Sequence, residues 1–222
     1  MNTLEAIKSI DFFNNLSEEE FEFISNISSI REFSKDTIVY YEDDIDYSLQ
    51  FLITGLIKIY KIDKYDNEIF LYYIYEKNMI SEFRSLDDNS IYCFSNAQFK
   101  EDGAILSIDF KKFKKNFINT GILTNKFIKE ILAKTHQLQC VLNRELVFDA
   151  TAKVSFMLNN DLIMFNKLKR SEVAFMLHIQ PETLSRVLKR LVRSKTIEID
   201  SKNNINISDR EKLCAIFIGV GK

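Results

Sequence analysis

Residues 170–191, RSEVAFMLHIQPETLSRVLKRL, constrain this chain more than any other stretch. They read as two short helices around a tight turn. The first carries Val173, Ala174, Met176 and Leu177. The second opens at Pro181, which a helix accepts there because the N–H of its first turn has no partner anyway. Leu184, Val187, Leu188 and Leu191 recur at i, i+3, i+4 and i+7, which predicts one buried stripe. The other face shows Glu182, Ser185, Arg186, Lys189 and Arg190. Glu182, Ser185 and Arg186 are neighbours on that face by their spacing. A carboxylate accepts from cytosine N4, and an arginine forks onto guanine O6 and N7. The pattern therefore predicts a helix-turn-helix whose second helix reads base edges in a major groove. The plainer alternative is an amphipathic helix with a solvated charged face.

Charge decides where such a surface can lie. The 222 residues carry 30 basic and 32 acidic side chains, a net charge of −2. The chain is not basic throughout, so a nucleic-acid surface must be local. Residues 186–195 supply it with Arg186, Lys189, Arg190, Arg193 and Lys195 and no acid between them. No apolar run is long enough to span a bilayer, and the N-terminus MNTLEAIKSIDFF lacks the layout of a signal peptide. Three cysteines, an odd number without motif spacing, fit a reducing cytoplasm and not a disulfide framework. We found no glycine-rich phosphate loop, metal-ligand cluster or nucleophile–base pair, so an enzyme is not expected.

The remaining pattern falls into three textures. Residues 9–30 read as helix, with Ser17 and Glu20 forming a capping box before Phe21, Ile24 and Ile27. Residues 38–108 read as short strands, TIVYY, SLQFLITG, LIKIYKI, EIFLYYIY, IYCFSNAQF and AILSI, separated by Asp, Asn and Gly turns. Even spacing of this kind predicts an all-β sandwich or barrel. Residues 117–148 read as one long helix with Ile128, Ile131, Leu132, Thr135, Leu138, Leu142 and Leu146 on one stripe. Ile128, Thr135 and Leu142 repeat every seven residues, as do Ile131, Leu138 and Glu145, and that spacing suits a two-helix seam weakened at Thr135 and Glu145. Asp149 is placed to cap a helix over 150–158. TIEID and NINIS around a polar turn predict a hairpin, and Ser208 with Glu211 predicts a capping box for a last helix carrying Leu213, Ile216 and Phe217.

Read together, these motifs resemble the Crp/Fnr family of bacterial transcription regulators. PETLSR fits the family pattern of glutamate, two residues, serine or glycine, then arginine, in its Fnr-like form. FLITGLIKIY and DKYDNEIFLYYI are similar to strand pairs of the family's sensor domain. The resemblance implies an α+β fold. It places a double-stranded β-roll of the cyclic-nucleotide-binding type over residues 1–116, a long dimerisation helix over 117–148, and a winged helix-turn-helix over 149–222. It implies a cytoplasmic homodimer joined through Ile128, Ile131, Thr135, Leu138 and Leu142. The implied partners are double-stranded DNA, at an inverted repeat with TTGA-like halves, and RNA polymerase, with the protein acting as an activator. Base reading falls to Glu182, Ser185 and Arg186, and backbone contacts fall to Ser171, Thr183, Lys189, Arg190 and Arg193. The family's turn glycine is replaced by His178, and histidine enters the left-handed region more readily than most residues.

The resemblance is weakest where an effector would bind. A cyclic-nucleotide pocket pairs glycine with glutamate and follows them with an arginine. Here Ser81 precedes Glu82, residues 90–94 (SIYCF) hold no arginine, and Arg84 stands two residues after Glu82. Burying a phosphate without a paired cation is costly. Glu82 therefore reads as structural, and cyclic AMP is not expected as the effector. No cysteine precedes Cys93, so the Fnr iron–sulfur cluster is not expected either. His136 and Cys140 lie i, i+4 on the long helix. A surface histidine and a small apolar cysteine is the plainer reading of that pair, and haem or a metal there is the alternative. The candidate sensor residues are thus Glu82, Arg84, Cys93, His136 and Cys140, with Cys93 as a candidate redox switch. The cofactor stays open. Family analogy points to nitrosative or oxidative stress as the signal. The alternatives are a constitutive regulator without an effector, and a ligand-sensing module that does not bind DNA.

Overall fold

Chain direction changes early. In the computed structural model, which describes residues 2–218, Asn2 caps α1 (Thr3–Lys8), and a 3-10 turn follows at Asp11–Phe13. Ser17 and Glu20 form the expected capping box at the start of α2 (Glu18–Asn26). The single helix expected over 9–30 is not formed. Asn15 takes the left-handed conformation, with φ at 74°, and breaks it. Its last residues belong instead to β1 (Ser28–Phe33), where the ladder with a later strand outweighs helix propensity.

Eight further strands follow: β2 (Ile38–Tyr40), β3 (Ile45–Asp46), β4 (Ser48–Thr54), β5 (Ile57–Ile62), β6 (Glu68–Ile74), β7 (Ile91–Tyr92), β8 (Asn96–Phe99) and β9 (Gly103–Asp109). The runs read from sequence all appear, with IYCFSNAQF divided between β7 and β8. Every pairing is antiparallel. One sheet runs β1-β9-β4, a second β2-β8-β5-β6, and β3 pairs with β7. Gly55 joins β4 to β5 at φ 95°, and a Cβ there would stand 2.9 Å from the Asp102 carbonyl oxygen. The FLITG turn therefore needs glycine both for conformation and for space.

After β9, Asp109 caps α3 (Phe110–Phe113), a π turn spans Lys114–Ile118, and the long helix α4 runs over Thr124–Leu142 into a second π turn at Asn143–Val147. The helix expected over 117–148 starts later because Gly121 turns left-handed, at φ 88°. Phe13, Phe51, Phe110, Phe113, Phe117 and Phe127 are fully buried in one apolar cluster. Phenylalanine thus fills much of the core of this half.

The chain divides into two compact units, Met1–Gln137 and Leu138–Lys222, and the division falls inside α4. Residue 1 and residues 219–222, the outer ends of the expected domain ranges, lie outside the described residues. In the second unit Asp149 caps α5 (Ala150–Asn160), as its position predicts. Then come α6 (Leu162–Lys167), α7 (Arg170–Met176), α8 (Pro181–Arg193), the hairpin β10 (Ile197–Ile199) with β11 (Ile205–Ile207), and α9 (Arg210–Ile218). The last helix is capped one residue later than expected. Asp209 Oδ1 accepts the Lys212 N–H at 3.0 Å. The N–H groups of Ser208 and Asp209 both donate to the Thr196 carbonyl.

Candidate nucleic-acid interface

The second unit's core fixes α8. Leu184, Val187, Leu188 and Leu191 are buried, as are Val173, Ala174 and Met176 of α7. Glu182, Ser185, Arg186, Lys189 and Arg193 are all exposed on the opposite side of α8. Pro181 occupies the first turn, and Gln180 stands at the N-cap without a side-chain cap bond. The first N–H groups of α8 therefore lack a capping side chain, and the partial positive charge of a helix start favours an anion nearby.

Beside α8 lies a hollow of about 410 Å³ bounded by Arg170, Ser185, Lys189, Arg193, Ile199 and Asn203. Three of these are cationic and none is acidic. The β10–β11 hairpin forms its far wall. Asp200 shapes the hairpin's tip by accepting the Lys202 and Asn204 N–H groups, each at 2.8 Å. The Asn204 backbone bond comes first among the effects that hold this carboxyl below its usual range.

Two residues that sequence reasoning missed hold the hairpin in place. Arg170 donates to the Asn203 carbonyl at 2.7 Å and to the Phe165 carbonyl at 3.2 Å, with its guanidinium 4.8 Å from the Phe165 ring centre. Asn166 takes the Ile205 N–H at 2.8 Å and returns a bond to the Ile205 carbonyl at 3.0 Å. No local pattern marks either residue's hold on the hairpin, because the hairpin partners lie more than thirty positions away. Among the expected backbone contacts, Ser171 is exposed in the first turn of α7 and Thr183 is half-buried. Arg190 is engaged with Thr151 Oγ1 on α5.

The candidate sensor residues do not converge on one feature. Glu82 accepts from Tyr72 Oη, the Phe94 N–H and Ser95 Oγ, each at 3.0 Å, so its carboxylate is occupied by the chain itself. Its charge also acts on Lys134, whose ammonium donates to the Ile80 carbonyl at 3.1 Å. Arg84 is exposed and lies 5.9 Å from the Tyr92 ring centre. Cys93 is 3% exposed, and burial, aided by Asp46, Glu82 and Asp44, pushes its thiol up to about 12. His136 is exposed and Cys140 half-buried on α4, where burial raises the Cys140 thiol. Among the described residues, no group of three or more His, Cys, Asp or Glu side chains is placed to hold a metal ion.

On α4, Ile128 is 49% exposed, Leu138 47% and Leu142 56%. Thr135 is exposed too, and Ile131 is partly buried against the apolar cluster of the first unit. Leu132 also shows a large exposed surface. Among the described residues, no helix is long and apolar enough to cross a membrane.

An N-terminal β-roll, a long helix and a C-terminal helix-turn-helix with a hairpin wing define a DNA-binding transcription regulator. A family model described as a Crp-like helix-turn-helix domain matches residues 158–216. The chain is similar to the anaerobic regulatory protein of Bacillus subtilis (strain 168), 25% identical over 209 residues, covering 89% of this chain and 87% of that protein. Its fold is similar to FixK2 from Bradyrhizobium japonicum, with a TM-score of 0.68, 15% identity, and 88% and 100% of the two chains covered. It is also similar to a CooA variant from Carboxydothermus hydrogenoformans, with a TM-score of 0.71, 18% identity, and 96% and 94% covered. Residues 158–216 thus match a Crp-like helix-turn-helix domain, and over most of its length the chain is similar to a regulator of the Crp/Fnr type.

Proposed function

We propose that this regulator acts as a homodimer on an inverted repeat with TTGA-like halves, and that its β-roll relays a signal to the DNA-reading unit. The observation that carries the reading is the exposure of Glu182, Ser185 and Arg186 on one face of a helix whose other face is buried. Two such helices related by a two-fold axis need half-sites about one helical turn apart. Glu182 and Arg186 then read opposite strands of a G·C pair near the inner part of each half, and Ser185 faces the outer T·A region. Ser171, Thr183, Lys189 and Arg193 serve the phosphates. Arg190 stands last in that group, because Thr151 already engages it. RNA polymerase is the further partner of an activator of this type. The signal belongs to the oxygen-related class, nitrosative or oxidative stress, in keeping with a relative named for anaerobic regulation.

Selection from random DNA with the wild type and Arg186→Ala tests this reading. Arg186→Ala should cost about 1–3 kcal/mol per half-site and relax the choice at one base pair. Lys189→Ala should instead weaken all sequences alike and flatten the salt dependence by roughly one unit. An unchanged sequence preference in Arg186→Ala would remove Arg186 from base reading.

A second reading, regulation without an anionic effector, is favoured by the Glu82 site. That carboxylate already takes three donors from the chain, and Lys134 is engaged with the Ile80 carbonyl. Calorimetry with cyclic AMP should show no micromolar binding. Binding at that level with improved DNA affinity would reverse this reading.

A further inference from the structure

The turn before the recognition helix carries a residue whose backbone conformation favours glycine. His178 holds φ at 50°, in the left-handed region. Glycine occupies that region without a steric penalty, whereas histidine does so at some cost. The side chain explains why a histidine stands there. Its Nδ1 lies 2.8 Å from Glu145 Oε2. Glu145 belongs to the π turn Asn143–Val147 that ends the long helix. The other oxygen of that carboxylate accepts from Arg144 Nε at 2.7 Å. Lys153 of α5, only 9% exposed, places its Nζ 3.4 Å from Glu145 and donates to the Leu177 carbonyl at 3.1 Å. The carboxylate and the lysine thus grip two adjacent residues of the turn, one by its side chain and one by its backbone.

Burial alone would raise the Glu145 carboxyl. The hydrogen bonds and charges of Arg144 and His178 outweigh that and hold it below the usual carboxylate range. Glu145 therefore stays ionised near neutral pH, a carboxylate free to accept from the turn.

We propose that His178 and Glu145 form a positioning pair that fixes the recognition helix to the end of the long helix, so that DNA affinity falls when either side chain is removed. The inference rests on the DNA-reading role proposed above and names a residue that supports it without touching a base. Pro181 begins the recognition helix three residues after His178, so freedom in the turn passes directly to Glu182 and Arg186.

The test uses the full chain and its selected DNA site, with anisotropy titrations at a single pH. His178→Gly should keep its thermal midpoint, because the backbone is relieved, yet bind the site about fivefold or more weakly. Glu145→Gln should weaken binding in the same direction. Adding Glu145→Gln to His178→Gly should cost little more, since the pair is already broken. Amide exchange across residues 177–180 gives a readout that needs no DNA, and it should quicken in Glu145→Gln. If wild type selects a site, but His178→Gly binds it equally well, only the positioning pair is overturned. If wild type selects no sequence, the base-reading proposal fails. Unchanged exchange in Glu145→Gln would then overturn the pair on its own.

Discussion

Cys93 and Lys134 show how single side chains limit what the sensor half can do. Shielding and nearby carboxylates keep the Cys93 thiol protonated near neutral pH, and the thiol form is a poor nucleophile. Iodoacetamide applied to the native protein at pH 8 should leave Cys93 unmodified while Cys140 and Cys214, both only half-buried, react. Peptide mass spectrometry checks this, and Cys93 labelled as fast as the other two would reopen it as a redox switch. Lys134 makes a pH prediction. Burial pulls its ammonium down to about 8, against the charges of Glu82 and Glu130, whereas an unfolded lysine titrates near about 10.4. Between those values the unfolded chain holds a proton that the folded chain has released, so this residue's contribution to stability rises with pH from about 8 to 10. Urea titrations at pH 8, 9 and 10 should show that component in wild type and not in Lys134→Met. Parallel curves would mean that Lys134 is hydrated and ordinary. The sequence offered no sign of either property. Burial and charge partners come from strands and a helix that meet only after folding, and sequence alone left Cys93 as an open candidate.

Elements were legible wherever their own pattern decided them. Recognition helix α8 needed only its four-residue apolar stripe and Pro181, and both act within one helix. Capping by Ser17 and by Asp149 was equally local. The cap expected at Ser208 falls instead to Asp209, whose Oδ1 accepts the Lys212 N–H. Strand β1 began inside an apparent helix because its partner β9 lies seventy to eighty residues away. Glu145, read from spacing as a weak point in a seven-residue repeat, is instead bound to His178, thirty-three positions further on. The dominance of the α8 stripe can be measured. Leu191 is 2% exposed, and Leu191→Ala should cost about 2–5 kcal/mol of stability in the DNA-reading unit, by lost transfer energy and the cavity left behind. Denaturant unfolding gives the value. A cost well under about 1 kcal/mol would show that α8 is not anchored by this stripe.

At the scale of the whole molecule, the question is what covers α4. Ile128, Leu132, Leu138 and Leu142 each leave about half or more of their surface in water, and Leu146 in the π turn is 79% exposed. We propose that these exposed apolar side chains serve an interface rather than an ordinary solvated face. The seven-residue recurrence of Ile128, Thr135 and Leu142 makes a second copy of the same helix the fitting occupant, since two like stripes supply each other's knobs and holes. The exposed Thr135 lowers the strength of such a seam without abolishing it, and Ile131, turned partly toward the first unit's core, contributes less than its position in the repeat implies. Leu138→Glu with Leu142→Glu would set four unpaired carboxylates into the seam of a dimer, at a desolvation cost that no partner charge offsets. The double variant should sediment as a monomer with wild-type circular dichroism, because neither leucine belongs to the buried core. It should also lose the gain in affinity that two linked half-sites give over one. Sedimentation velocity on the purified variant decides the point. A folded double variant that remains a dimer would remove this helix from the interface and, with it, the geometric argument for an inverted repeat.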